Sequence, residues 1–176
     1  LHLSIRRQRQ MCIRDRHEGI PPRGWMSPWI SESDVTADLL KENDYTYIMN
    51  WPCDDQPFWM RTRSGPILQV PYPVEINDSP AMLNRRHTPS DFAEMAMDQF
   101  DVMIEQSEKQ PLVMGLALHT FVVGQPFRFK HLQRILEHFV NHPKRDKVWF
   151  ARPGEIVDHV ANLPRGIVPG SEDLPD

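Results

Sequence analysis

From His17 onward the hydrophobic and polar positions switch between two periods, which predicts strands and helices in turn. "RGWMSPW" is short, aromatic and bounded by proline, as a strand end entering a loop would be. "SESDVTADLLKEND" predicts a helix with Ser31 or Ser33 as N-cap, acids in its early turns, and Leu39 and Leu40 on its apolar face. "YTYIMNW" is rich in β-formers and stops at Pro52. "PFWMRT" and "PILQVPY" flank "RSG" and predict a hairpin or extended excursion.

The clearest helix is "TPSDFAEMAMDQFDVMIEQSEKQ", where Phe92, Met95, Ala96, Gln99, Phe100, Met103 and Ile104 fall at helical spacing. Thr88 or Ser90 can cap it, and Pro89 suits its first turn. "PLVMGLALH" is a nearly continuous apolar run, as a strand covered on both faces would be, yet it ends on a titratable ring. "RFKHLQRILEHFVNH" predicts a second amphipathic helix with Phe129, Leu132, Ile135, Leu136, Phe139 and Val140 on one side. "KVWFA" follows as a short strand and "PGEIVDHVANL" as a last helix. The tail 165–176 is rich in proline, glycine and acids and is expected to be disordered.

Strand followed by helix, several times over, is the order of an α/β fold built on a parallel sheet or barrel. Functional residues in such folds gather just beyond the carboxyl ends of the strands. There the chain places Ser31 to Asp34, then Asp54, Asp55 and Trp59, then Glu75, Asn77 and Asp78, and finally His119. Carboxylates, a carboxamide, indoles and an imidazole delivered to one rim suit acid/base work on a polar bond. A carboxylate bonded to the histidine would fix its tautomer, and tryptophans would exclude water from a planar substrate.

Each of these residues also has a plainer role. Asp54 and Asp55 suit a loop cap, and neighbours on a strand point to opposite faces, so one of the two is expected to face the site. "VEIND" suits an Asx-type turn, and Trp51 and Trp59 suit a core. His138 and His142 have the spacing of a zinc pair, but Pro143 ends the helix and no third ligand is apparent, so a solvated helix end is preferred. The methionines suit core filling. A phosphate-binding glycine-rich loop and a Gly-x-Ser-x-Gly elbow are both absent from the sequence.

Composition narrows the classes. The 176 residues, 40% hydrophobic and 25% charged, match a soluble globular domain, and no apolar run approaches the ~20 residues of a membrane span. Seventeen prolines against eight glycines predict long, shaped connections. A formal charge of −4 argues against nucleic acid as a partner. Two cysteines, Cys12 and Cys53, form neither a disulfide framework nor a metal motif, which points to a reducing, cytoplasmic setting. Residues 1–16 depart from the rest: "LHLSIRRQRQMCIRDR" carries five arginines and one acid. "MCIRDR" looks like the translation of a transposase-end adapter, so the segment is expected to be an adapter or assembly scar; a native basic arm is the alternative.

In succession, "GWMSP", "DDQPFW", "VPYPVEIND", "MDQFDVMIEQ", "LALHTFVVGQPFRFKHLQRILEHF" and "DKVWFARPGEIVDHV" resemble the carboxyl-terminal half of the polysaccharide deacetylase (NodB-homology) superfamily, closest to its allantoinase-like branch. The resemblance runs from about Gly24 to Leu163. It implies a partial, truncated form of a distorted (β/α)7-type barrel over residues 17–164. It also implies hydrolysis of a non-peptide carbon–nitrogen bond in an amide, ureide or N-acetylated sugar. Carried over by motif, His119 would be the general acid and Asp54 the carboxylate that orients it. Trp59 would line the substrate wall, with Trp25, Asp55, Glu75, Asn77 and Asp78 as further substrate contacts.

The superfamily's arginine motif is replaced here by "PPRGW", with Pro21 where arginine is expected and Arg23 as a substitute. Its Asp-Asp base motif and its His-x-x-x-His metal motif belong to the amino-terminal half, and nothing like them precedes His17. No cofactor or metal is therefore expected in the segment present, and metal use by a longer parent stays open. Such a segment, with open sheet edges, is expected to be unstable or sticky and inactive alone. A non-catalytic module binding a small molecule or carbohydrate on the same barrel is the alternative function, and self-association into a homo-oligomer is left open.

Overall fold

The computed structural model describes Gly19 and residues 21–174, so the expected scar at 1–16 lies outside the described residues. Four strands form one mixed sheet: β1 (Gly24–Trp25), β2 (Tyr47–Ile48), β3 (Phe58–Thr62) and β4 (Gly65–Gln69), in the order β1-β2-β4-β3. β1, β2 and β4 run parallel, with Trp25 beside Ile48 and Ile48 beside Gln69. β3 closes the edge as the antiparallel arm of the expected hairpin, pairing Trp59 with Leu68 and Thr62 with Gly65. Gly65 turns this hairpin at φ 111°, a backbone region that favours glycine.

Both faces of the sheet are covered, and the period of two in β4 shows how. Ile67 packs with Ile48, Tyr45 and Leu40 of helix α1 (Thr36–Lys41). Leu68 and Val70 point the other way, to Val157, Val160 and Val168. Neither Ser31 nor Ser33 caps α1: Val35 occupies that position, and the Ser33 hydroxyl meets that of Thr36 instead.

A second core lies between α2 (Pro89–Gln106) and α4 (Pro126–Asn141). α2 begins as expected, with Pro89 in its first turn and a reciprocal capping box between Thr88 and Asp91. Its Phe92, Ala96 and Phe100 are buried, and Phe100 stacks on Phe139 of α4 at 4.1 Å between ring centroids. Val122 and Val123 of the short α3 (Thr120–Val123) complete this core. The last helix, α5 (Pro153–Ala161), supplies Val157 and Val160 to the sheet.

Four further expectations fail. The run 111–118 forms no strand; its one ladder contact is a parallel bridge from Ala117 to Asn77, so most of its residues are only half-buried. "KVWFA" is no strand either, and Trp149 and Phe150 are exposed. The apolar side of α4 is only partly covered: Ile135 and Phe139 are buried, while Phe129, Leu136 and Val140 face outward. Of the tail expected to be disordered, the described residues 165–174 dock. Val168 is buried, and the Pro169 carbonyl accepts a hydrogen bond from the Trp59 amide at 2.8 Å. Gly170, at φ 78°, lies so close to Trp59 that a Cβ would come within 2.5 Å of its carbonyl.

Candidate functional site

His119 ends the apolar run for a local reason: its extended backbone is the N-cap of α3, and its carbonyl accepts from the amides of Val122 and Val123. The ring is thereby set at a junction between extended chain and helix. Its Nδ1 lies 2.6 Å from Oδ1 of Asp78, and its backbone amide donates to Oδ2 of the same residue at 2.8 Å. Asp78 has no exposed surface, whereas the His119 side chain is 37% exposed. With an ionised Asp78, Nδ1 carries the hydrogen of this bond, and Nε2 is left to exchange a proton.

The carboxylate on His119 is therefore Asp78, not the expected Asp54. The reason is the pairing of two distant segments: the Asn77–Ala117 bridge is flanked by bonds from the Asp78 amide to Ala117 and from the Ala117 amide to Ile76, which sets Asp78 level with Leu118 and within reach of the next residue, His119. Asp54 instead accepts from the amide of Asp55 at 2.7 Å, in the manner of a loop cap.

Asp54 and Asp55 both line an open cleft of about 570 Å³, together with Tyr72, Glu75 and, from α2, Gln99 and Met103. Neither Asp78 nor His119 lines it; the pair stands further along the same two segments. In the cleft, burial and then the charge of Asp54 push the Asp55 carboxyl above its ordinary value. Burial likewise raises the Tyr72 phenol, whose oxygen accepts from Nδ2 of Asn77 at 3.4 Å. Oδ1 of Asn77 is buried without a hydrogen-bond partner. Glu75 is exposed and ion-paired with Arg85.

The tryptophans are placed differently from expectation. Trp59 packs against the Leu68–Val157 core and does not line the cleft. Trp25 meets Tyr45 edge to face at 5.8 Å, and its Nε1 donates to the Ser27 hydroxyl. Arg23 is held by Asp158 of α5 ahead of β1, at the opposite end of that strand from Ser27.

At the carboxyl ends of the parallel strands, Glu32 of the expected rim belongs to a polar network whose other polar members, Ser27, Asn50 and Gln69, the sequence reading missed. Asn50, nearly buried, accepts from the Ser27 amide and donates to the Ser27 hydroxyl and to Glu32. Glu32 also accepts from Nε1 of Trp51, and the buried Gln69 accepts from the Trp51 amide. Polar residues directly after strands were the available signal, but Asn50 and Gln69 sit within runs that otherwise read as strand core.

No protein-family model matches the chain. A Schizosaccharomyces pombe protein named "Putative polysaccharide deacetylase" is 33% identical over 118 residues, which cover 58% of this chain and 35% of that protein. The crystal structure of a probable polysaccharide deacetylase from Pseudomonas aeruginosa PAO1 superposes with a TM-score of 0.74 at 28% identity, over 85% of this chain and 49% of that one. Puue allantoinase superposes with a TM-score of 0.77, also at 28% identity, over 88% of this chain and 51% of that one. The chain thus resembles the polysaccharide deacetylases and allantoinase in sequence and α/β fold. It spans about a third of the curated relative and about half of each solved structure.

Proposed function

We propose that this chain supplies the proton-donating part of a hydrolase that cleaves a non-peptide carbon–nitrogen bond. The single observation that carries the reading is His119 bonded twice to a fully buried carboxylate. Resemblance to a deacetylase and an allantoinase supports the reaction class.

In the proposed step, a water oxygen adds to the carbonyl carbon of an amide or ureide while a base removes the water's proton. His119, protonated on Nε2, gives that proton to the nitrogen as the carbon–nitrogen bond breaks. Asp78 holds the ring through Nδ1 and stabilises the imidazolium before the transfer. Acid catalysis of this kind contributes typically about 10²–10⁴-fold in rate. Asp55, Tyr72 and Glu75 in the neighbouring cleft would meet the polar edges of a substrate.

The parent would be a longer (β/α) barrel, with the base on a segment that this chain does not carry. Exposed Trp149, Phe150, Leu136 and Val140 support such a covering segment, as does the half-length match to the solved structures. The chain alone would then be inactive. The test is hydrolysis of N-acetylated sugars and cyclic ureides by the protein expressed from the full coding frame. His119→Ala should lower turnover by about 10²-fold or more while leaving ligand binding in place. Unchanged turnover would remove His119 from the reaction.

A further inference from the structure

α2 and α4 carry a second cluster of ligand-type side chains, on elements other than those that hold His119 and Asp78. Asp101 of α2 meets His138, in the last turn of α4, and His142, which caps that helix. Oδ1 of Asp101 lies 2.6 Å from Nε2 of His138 and 3.4 Å from Nε2 of His142. One donor atom from each residue lies within 4.8 Å of the other two. We propose that Asp101, His138 and His142 form a binding site for a divalent cation of the zinc type, tying α2 to the end of α4.

Donor chemistry, spacing and rigidity each support the site. Two imidazole nitrogens and one carboxylate oxygen are a donor set that zinc accepts, and three protein ligands leave a fourth position for water. Bonds of about 2.0–2.1 Å in a tetrahedral ion set neighbouring donors about 3.3 Å apart. The contact between Asp101 and His142 already has that length, and the one to His138 has to open by less than about 1 Å. Spacing of i, i+4 puts both rings on one side of α4. The Phe100 ring stands edge-on to both imidazoles, at 6.1 Å from His138 and 5.6 Å from His142, and limits their rotation. The side chains are 31% (His138), 15% (His142) and 44% (Asp101) exposed, so an ion can enter from the Asp101 side.

Binding has a cost that makes the proposal sharper. Nδ1 of His142 accepts from the Lys144 amide at 3.1 Å, so in the metal-free form the ring hydrogen is on Nε2, facing Asp101. An ion on Nε2 moves that hydrogen to Nδ1 and frees the Lys144 amide to exchange with water. A clasp made of hydrogen bonds alone, with Asp101 shared between two imidazoles, has no such coupling.

The experiment uses the metal-stripped 176-residue chain without an affinity tag, titrated with Zn²⁺ by calorimetry and with Co²⁺ by visible absorption. The expected result is one equivalent bound, tetrahedral-type Co²⁺ bands, shifted ring signals of His138 and His142, and faster exchange of the Lys144 amide. Asp101→Asn and His142→Ala should each weaken Zn²⁺ at least about tenfold, whereas His119→Ala should leave it unchanged. If Zn²⁺ fails to move the ring signals of His138 and His142 in the unmutated chain, the proposal is overturned whatever the variants do. Equal affinity in a folded Asp101→Asn variant overturns it too.

Discussion

Asp78 grips His119 at two points, one oxygen on the backbone amide and the other on the ring nitrogen. The same carboxylate thus fixes where the extended segment stops and which way the imidazole turns. A side chain with both oxygens engaged and no exposed surface has little freedom to let go.

Replacing Asp78 should separate these two duties. Asp78→Ala leaves the His119 amide without its acceptor and should cost about 1–3 kcal/mol in urea unfolding. Asp78→Asn can still accept from the amide, but its NH₂ group then faces Nδ1 and should drive the hydrogen to Nε2. Nitrogen-15 correlation spectra of the ring read the tautomer directly. An Nδ1–H tautomer that survives in Asp78→Asn would show that the carboxylate does not set it.

Two glycines should respond in opposite directions to alanine. A Cβ on Gly115 would come within 2.4 Å of the Pro73 ring, so Gly115→Ala should destabilise by about 1–3 kcal/mol. Gly154, in the first turn of α5, has nothing within 4 Å of a new Cβ, and Gly154→Ala should stabilise by about 0.4–1 kcal/mol. Thermal or urea melts of the pair settle both signs.

The start of α2 should be acid-sensitive. Hydrogen bonding from the Thr88 amide, foremost, holds the Asp91 carboxyl below its ordinary 3.8. A lowered folded value stabilises above the unfolded value, and that contribution is lost as pH falls through the folded one. Asp91→Asn should therefore flatten the acid side of the stability profile. Thr88→Ala should cost about 1 kcal/mol at neutral pH.

Asp55 should behave in the reverse sense. Its carboxyl is raised above the ordinary 3.8, first by burial and then by Asp54, so the folded chain holds this proton more tightly than the unfolded one. Its contribution is full below the unfolded value and declines as pH rises through the folded value. Stability of Asp55→Asn relative to the unmutated chain should accordingly be higher at neutral pH than below pH 3.8. An equal difference at both pH values would show that Asp55 is not desolvated.

Local signals along the chain read well, and long-range pairings did not. Pro89 with its capping threonine, the hairpin about "RSG" and the terminal histidine of "LALH" are all decided within a few neighbours. Which carboxylate meets His119 depends instead on a register between segments about 40 residues apart, and nothing near Asp54 or Asp78 announces it. Asp101 as the third member beside His138 and His142 is hidden for the same reason, being 37 residues away on another helix. Trp59 reads equally as wall or core from sequence, and the docking of Val168 and Gly170 beside it decides for core. Among the described residues no strand pairs with the segment of exposed Trp149 and Phe150, and an alternating pattern depends on such a neighbour.

The bridge between Asn77 and Ala117 has a consequence for how such a chain can vary. One residue inserted between Met114 and Leu118 would bring leucine to the position of the imidazole, and one residue deleted would bring threonine there, so either change would leave Asp78 without its ring partner. The length of this short extended stretch is thus held fixed by a single carboxylate, although no strand ladder runs along it.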